Sequence, residues 1–245
     1  MVRLLCSPVI SNDGSASVYA LLSFAFRREF GCDMPEIRKT PVGKPYFPTM
    51  PDIHFSLSHS RTHVLCGLSD RPIGVDIESP RELRRRVIEF FTAPEEALLF
   101  APLELWVLKE SYIKLIGGSL PLVKTIHFSR RGDQIVAPDA PGGALGNVTV
   151  DDANIGSNID SNNASIDGTG NRPGDGFDDT SGNIAFCGTA PLPVVNSTNK
   201  PSDNPVRKHV SAKLYTVASC TAAVCISDHL YPDSIELIIG TAALI

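Results

Sequence analysis

Two short acidic motifs carry the residue types that a metal-dependent phosphate site requires. Residues 72–78 read Pro-Ile-Gly-Val-Asp-Ile-Glu, and residues 106–114 read Trp-Val-Leu-Lys-Glu-Ser-Tyr-Ile-Lys. In the first motif, apolar residues alternate with a glycine and two carboxylates, which predicts a β-strand. Side chains two positions apart lie on the same face of a strand, so we expect Asp76 and Glu78 to point in one direction.

The second motif is predicted to form a helix that brings another carboxylate and a lysine to this strand. Glu110 and Lys114 are four positions apart, which makes them neighbours on a helix surface. Magnesium prefers oxygen ligands and is commonly held by one or two carboxylates together with substrate phosphates. If the helix packs on the strand, three carboxylates would converge there, and Lys114 would offer its positive charge to a phosphate.

Each motif also has a purely structural interpretation. An Asp-x-Glu pair at the end of a strand is commonly a solvated face. A glutamate and a lysine four positions apart on a helix are commonly a surface ion pair, worth only a few tenths of a kcal/mol. The occurrence of both motifs in one chain favours a shared site over two unrelated surface features.

The two motifs resemble the signature pair of the 4′-phosphopantetheinyl transferases, in the longer, surfactin-synthetase-activating (Sfp-type) branch of that family. Three further segments agree with the same branch, in the same order. They are Gly-Lys-Pro-Tyr-Phe-Pro at 43–48, His-Phe-Ser-Leu-Ser-His-Ser at 54–60 and Phe-Phe-Thr-Ala-Pro-Glu-Glu at 90–96. The resemblance covers roughly residues 15–136 and resumes over 210–238, and the order of its motifs makes it specific.

The resemblance implies an enzyme that acts on coenzyme A. Such an enzyme transfers the 4′-phosphopantetheine group of coenzyme A to a serine of an apo acyl or peptidyl carrier protein, giving holo carrier protein and 3′,5′-ADP, with Mg²⁺ as the cofactor. An alternative is a non-catalytic module that binds carrier protein or coenzyme A. A third possibility, an unrelated Mg²⁺-dependent phosphate-ester enzyme, leaves the other motifs unexplained.

The resemblance also implies a role for individual residues. The metal ligands would be Asp76, Glu78 and Glu110, and Glu110 would also accept the proton of the attacking serine. Lys114 would stabilise the charge that develops on the phosphate oxygens. The residues expected to contact coenzyme A are Lys44, Ser58, His59 and Lys109. Without the resemblance, Lys44 would be interpreted as a solvated loop lysine and His59 as a structural hydrogen-bonding residue.

The fold that the resemblance implies is α+β, with two similar α/β halves packed as a pseudo-dimer around a cleft. We place the halves at residues 1–72 and 73–245. In the resembled branch a longer segment, with basic residues for the nucleotide, precedes the Gly-Lys-Pro motif. Here 42 residues precede Gly43, so the N-terminal half is expected to be shortened, and the property that this would affect is the affinity for coenzyme A.

Periodicity and turn residues predict the remaining elements. We expect helices at 15–30, 83–91, 94–100 and 103–116, and strands at 53–58, 63–68, 127–129, 134–136, 213–218 and 221–227. Residues 137–209 are dominated by Asn, Asp, Gly, Ser, Thr and Pro. A segment of this composition buries too little apolar surface to offset its ordering entropy, so we predict a long low-complexity, mobile insertion with a short structured piece at 184–187.

Composition sets wider limits on the function. The chain has 245 residues, 42% of them hydrophobic, and a net charge of −5, which does not favour a nucleic-acid-binding protein. Its six cysteines include no Cys-x-x-Cys pair, which is typical of reduced intracellular thiols. Neither a signal peptide nor a run of about 18 apolar residues is apparent. We therefore expect a cytoplasmic monomer that binds no membrane.

A basic run follows the acidic strand and consists of Arg81, Arg84, Arg85 and Arg86. We interpret it as a solvated helix face or, as a weaker alternative, as a surface for acidic carrier proteins.

Overall fold

A computed structural model describes residues 1–10, 13–140, 208–228 and 232–238. All of them lie in the compact unit formed by Met1–Val148 and Lys200–Ile245. The strands in chain order are β1 (Val2–Pro8), β2 (Arg38–Lys39), β3 (Pro45–Tyr46), β4 (His54–His59), β5 (His63–Ser69), β6 (Ile73–Glu78), β7 (Ser129–Arg131), β8 (Gln134–Val136), β9 (Val210–Val217), β10 (Cys220–Ser227) and β11 (Glu236–Leu237). The helices are α1 (Gly14–Phe30), α2 (Arg85–Phe91), α3 (Pro94–Ala97), α4 (Pro102–Ile116) and a 3₁₀ helix at Leu120–Lys124.

The fold is of the α+β class, as the sequence predicts. Within the described residues, one sheet has the strand order β11-β1-β5-β4 and a second has the order β6-β10-β9-β8-β7. Helix α1 packs its apolar side on the first sheet, where Leu22 and Phe26 meet Phe55 in one buried cluster. Helix α4 packs on the second sheet, where Leu108 and Tyr112 share a cluster with strand residues.

The long helices have ends that their sequences specify. The Asp13 side chain accepts a hydrogen bond from the backbone N–H of Ala16 at 2.9 Å and so caps the start of α1. The Glu104 side chain accepts one from the N–H of Ala101 at 2.9 Å at the start of α4. Gly117 ends α4 with a left-handed φ of 67°, a conformation that favours glycine.

Serine side chains join the edges of the two sheets. Ser56 and Ser58, on edge strand β4, accept hydrogen bonds from the backbone N–H groups of Val75 (3.0 Å) and Ile77 (3.3 Å) on edge strand β6. Backbone donors of an edge strand must find partners when they are buried, and here hydroxyl groups supply them. The serines of the His-Phe-Ser-Leu-Ser-His-Ser motif therefore hold β4 and β6 together.

Several element boundaries differ from the prediction. The helix expected at 94–100 ends at Ala97, and the strand expected at 127–129 begins at Ser129, because the Phe128 N–H donates to the Glu96 carboxylate at 2.8 Å rather than to a strand. Strands β1, β2, β3 and β11 had not been predicted.

Most of the expected insertion, including its piece at 184–187, lies outside the described residues. Its two ends meet, since the Ala140 N–H donates to the Lys208 carbonyl at 3.2 Å.

The described helices include none that is both long and apolar enough to cross a membrane.

A buried ion pair holds α4 to the segment before it. The Lys109 ammonium lies 2.7 Å from the Glu96 carboxylate, and their side chains are 0% and 1% exposed. Lys109 also donates to the Phe91 carbonyl, and Glu96 accepts from the N–H groups of Ala93 and Phe128. These hydrogen bonds compensate the cost of burying both charges.

We predict that Lys109→Met lowers the free energy of unfolding by about 3–5 kcal/mol, because it leaves the Glu96 carboxylate buried without its partner. Urea unfolding followed by circular dichroism measures this change. The control is Arg85→Gln, which breaks the exposed Arg85–Glu89 pair and should cost about 1 kcal/mol or less. Equal losses in the two variants would contradict a structural role for Lys109.

Candidate functional site

Asp76 lies at the centre of the candidate site. Its Oδ1 accepts a hydrogen bond from the Ser58 hydroxyl at 2.7 Å and lies 2.7 Å from the Lys114 ammonium. These contacts link β6 with β4 of the first sheet and with the last turn of α4. The structure thus confirms that α4 packs on the acidic strand with Lys114 facing it.

The other two predicted metal ligands lie close to this pair. Burial raises the pKa of Glu110, the negative charges of Asp76 and Glu78 raise it further, and Lys114 opposes the shift. The Glu78 carboxylate is held by the Arg81 guanidinium, with Nη2–Oε1 at 2.6 Å and Nε–Oε2 at 3.2 Å. The three carboxylates therefore interact electrostatically, but two of them already have basic partners.

The three carboxylates do not form a complete metal-binding group in this arrangement. Within the described ranges, no three His, Cys, Asp or Glu side chains come close enough to one another to hold a metal ion. The donor chemistry still fits a hard cation, because all three side chains offer carboxylate oxygens. The raised pKa of Glu110 also reflects neighbouring negative charge, which a bound cation would offset.

A pocket of about 360 Å³ lies beside this cluster. Helix α1, strand β4, the segment 42–45 and the end of α4 all line it. Its basic lining residues are Lys39, Lys44, His59 and Lys114. A pocket of this size with several cationic groups suits a ligand that carries phosphates.

Lys44 lines the pocket and is tied to the end of α4. Its ammonium donates a hydrogen bond to the Leu115 carbonyl at 2.6 Å, in the last turn of the helix, where the helix dipole favours a positive charge. Burial lowers the pKa of Lys44 to about 8. The structure therefore places Lys44 where it can reach a phosphate in the pocket, although its present partner is the backbone.

His59 lies at the rim of the pocket, against the start of α1. A Cβ atom built on Gly14, the first residue of that helix, would lie 2.2 Å from His59 Cδ2. The absence of a side chain at Gly14 therefore lets the imidazole ring lie over the helix N-terminus. This position is compatible with the predicted contact of His59 with a phosphate.

Ser58 and Lys109, both predicted to contact coenzyme A, each contact a carboxylate of the protein itself. Ser58 lines the pocket, and its hydroxyl donates a hydrogen bond to Asp76 and positions that carboxylate. Lys109 is fully buried, is paired with Glu96 and does not line the pocket. The resemblance implied a coenzyme A contact for Lys109, but adjacent residues on a helix point about 100° apart, and the Lys109 side chain lies in the core rather than beside Glu110.

Arg81 and Ser56 are two residues of this region that the sequence did not indicate. Arg81 was grouped with a basic run that was interpreted as a helix face, yet it precedes α2 and binds Glu78. Ser56 bonds the backbone of Val75. The proximity of Arg81 to Glu78, three residues away, was the available signal for the first. Ser56 lies two residues before Ser58 in the same strand motif, so both share one strand face, and this spacing was the available signal for the second.

Comparison with known proteins supports the resemblance seen in the sequence. The chain is 34% identical over 114 residues to the 4′-phosphopantetheinyl transferase Sfp of Bacillus subtilis strain 168. The matched region covers 42% of this chain and 51% of that protein. It is 39% identical over 93 residues to the 4′-phosphopantetheinyl transferase gsp of Aneurinibacillus migulanus, covering 34% and 38% of the two chains. It is 40% identical over 88 residues to the 4′-phosphopantetheinyl transferase psf-1 of Bacillus pumilus, covering 32% and 38%.

The similarity covers part of each protein. The matched region spans about half the length of the Bacillus subtilis relative and less of the other two. No family model matches the chain. The matches nevertheless confirm the predicted resemblance to the Sfp-type phosphopantetheinyl transferases.

We predict that Glu110→Gln raises the thermal midpoint of the free protein at pH 7. The pKa of Glu110 in the folded protein lies above its ordinary value of 4.5, so the fold loses stability as the pH rises above 4.5, and the loss is complete above the raised pKa. The gain should shrink as the pH falls through the raised pKa towards 4.5. Thermal melts between pH 4 and pH 8 measure it.

The control for this prediction is Glu82→Gln, which removes the same charge from an exposed residue nearby. It should change stability by no more than about 0.5 kcal/mol. A Glu110→Gln variant that is less stable than the parent at pH 7 would contradict the electrostatic description of the site.

Proposed function

We propose that this chain transfers the 4′-phosphopantetheine group from coenzyme A to a serine of an apo carrier protein, giving holo carrier protein and 3′,5′-ADP. The observation that carries the proposal is the position of Lys114, which contacts Asp76 and also lines the basic pocket. Acidic groups for a cation and basic groups for phosphates thus lie side by side. The names of the similar proteins support the same activity.

We also propose that residues 1–72 and 73–245 form two similar α/β halves in a pseudo-dimer. The arrangement of α1 on one sheet and α4 on the other supports this division. The pocket draws its lining from both halves, since α1 and β4 belong to the first and α4 to the second. Ligand sites commonly lie in such a junction between structural units. The monomeric state and the cytoplasmic location stay predictions.

In this proposal the phosphates of coenzyme A occupy the pocket. Lys44, His59 and Lys114 are the basic groups that would bind them, and Ser58, which also lines the pocket, would hold Asp76 in place. We propose no ligand contact for Lys109, because its ammonium is buried in the pair with Glu96. The positive charges would hold the phosphates in place and neutralise their negative charge during transfer.

The reaction forms one bond to phosphorus and breaks another. The serine oxygen of the carrier protein attacks the β-phosphorus of coenzyme A, and the bond from that phosphorus to the bridging oxygen breaks, releasing 3′,5′-ADP. Glu110 would accept the serine proton, since its raised pKa makes it a stronger base than an ordinary carboxylate. Lys114 would stabilise the charge on the departing oxygen. Mg²⁺, held by Asp76, Glu78 and Glu110, would supply further neutralisation of the phosphates.

The alternative of a non-catalytic binding module has one observation in its favour. Asp76 and Glu78 each already pair with a basic side chain of the protein itself. A carboxylate that serves only to balance such a charge has no need of a metal. The negative charges of Asp76 and Glu78 act on Glu110 and help to raise its pKa, and this grouping of carboxylates favours the enzyme.

We predict that the purified protein, incubated with Mg²⁺ and a fluorescent coenzyme A, labels at least one apo carrier protein from a panel of acyl and peptidyl carriers. Glu110→Ala should lower the rate by about 10²–10⁴-fold, the usual contribution of a general base. Glu82→Ala, which removes an exposed carboxylate, should leave the rate unchanged. In-gel fluorescence measures the labelling, and a chelator should abolish it.

The outcomes of this assay separate the two candidate functions. If no carrier protein is labelled while coenzyme A still binds in calorimetry, the binding module replaces the enzyme. If well-folded protein neither labels a carrier nor binds coenzyme A, both candidates fail.

The affinity for coenzyme A should fall as the pH rises above about 8. Lys44 loses its proton in this range in the free protein, and only the ammonium form attracts phosphate. Calorimetric titrations from pH 7 to pH 9.5 measure the effect. Lys44→Gln should bind more weakly and lose this part of the pH dependence, whereas Lys39→Gln should keep it. A flat profile in the unaltered protein would contradict the role of Lys44.

A further inference from the structure

We propose that Arg81 is an internal competitor of the metal ion for Glu78, so that a divalent cation binds tightly only after Arg81 has released that carboxylate. This inference rests on the proposed function in taking Glu78 as a metal ligand. It adds a residue that controls when the metal site is available.

The geometry of the Arg81–Glu78 pair engages the whole carboxylate. Arg81 Nη2 lies 2.6 Å from Glu78 Oε1, and Nε lies 3.2 Å from Oε2. A guanidinium that binds both oxygens in this way forms one of the stronger polar contacts in proteins. A cation that approached Glu78 would have to displace at least one of these hydrogen bonds.

The pair is partly shielded from solvent but free to rearrange. The Glu78 side chain is 20% exposed and that of Arg81 is 48% exposed. Arg81 precedes α2, which begins at Arg85, so it is not fixed by the hydrogen bonds of that helix. Arg81 can therefore swing away from Glu78 without unfolding an element.

A second basic residue forms an ion pair with the neighbouring carboxylate. Lys114 binds Asp76 at 2.7 Å, so each of the two acidic residues of β6 has its own cation. Within the described residues, no three His, Cys, Asp or Glu side chains come together as a metal site, which agrees with carboxylates that are held by protein cations. The arrangement is a closed state of the site, stabilised by protein cations in place of a metal.

Phosphates provide a reason for the closed state to open. A guanidinium and an ammonium both bind phosphate oxygens well. Lys114 lines the pocket, so coenzyme A there would draw Lys114 from Asp76, and its phosphates would attract the exposed Arg81 side chain as well. The carboxylates that they leave would then be available to the cation. Metal and coenzyme A should therefore bind cooperatively, and this coupling is reciprocal by thermodynamic necessity.

The test is the affinity of the Arg81→Gln variant for Mn²⁺, measured from the electron paramagnetic resonance signal of the free ion. Without coenzyme A, we expect the variant to bind Mn²⁺ about three- to tenfold more tightly than the parent, the range for removing one partly exposed competing charge. With saturating coenzyme A the difference should shrink, because Arg81 has then already left Glu78.

A closely matched control exists elsewhere in the chain. Arg3 also binds a carboxylate with both Nε and Nη2, at 2.8 and 3.4 Å from Glu29, with side chains that are 53% and 22% exposed. Arg3→Gln removes the same charge and the same type of pair, and it should leave the affinity for Mn²⁺ unchanged. Thermal melts of both variants check that the fold is intact.

Three results would overturn the inference. Weaker Mn²⁺ binding in Arg81→Gln would mean that Arg81 positions Glu78 for the metal. An increase no larger than that of Arg3→Gln would mean that only the net charge matters. Absence of Mn²⁺ binding in both the parent and the variant would remove Glu78 from the metal site. None of these depends on carrier labelling, so a tighter-binding Arg81→Gln variant in a protein that labels no carrier would retain the inference while the proposed function fails.

Discussion

The close packing of α4 on β6 is the constraint on which the site depends. A Cβ atom at Gly74 would lie 1.9 Å from the Ser111 carbonyl oxygen and 2.4 Å from the Leu115 backbone nitrogen. Backbone atoms cannot move aside as the end of a flexible side chain can, so any larger residue at this position would push the helix outward. At the present separation Lys114 reaches Asp76 at 2.7 Å. The glycine of the first motif thus determines whether the two motifs form one site.

Two further contacts complete the pocket around this packing. The Ser56 and Ser58 hydroxyls join β4 to β6, which brings the first sheet to the acidic strand. The Lys44 ammonium binds the Leu115 carbonyl and so attaches its loop to the end of α4. Because the same side chains that line the pocket also hold its walls together, a ligand that attracts Lys44 would alter the contacts of the helix end. The site and the junction between the two sheets are therefore physically linked.

The sequence predicted those parts of this arrangement that follow from periodicity. Alternation in residues 72–78 indicated β6 and the common face of Asp76 and Glu78, and helical spacing indicated α4. The role of Lys109 did not follow, because a helical pattern does not tell which of two lysines faces the core. The partner of Glu78 was also missed. Arg81 could belong to the basic run or to the acidic strand, and only the path of the chain between β6 and α2 decides between them.

The most direct test of the account is a crystal structure of the protein with Mn²⁺ and coenzyme A, with the metal located by its anomalous scattering. The account predicts one strong anomalous peak within ligand distance of Asp76, Glu78 and Glu110. It also predicts the phosphates of coenzyme A against Lys44 and Lys114. A peak at any other place in the fold, or phosphates bound outside the pocket beside α4, would contradict the claim that the two acidic motifs form one metal-phosphate site.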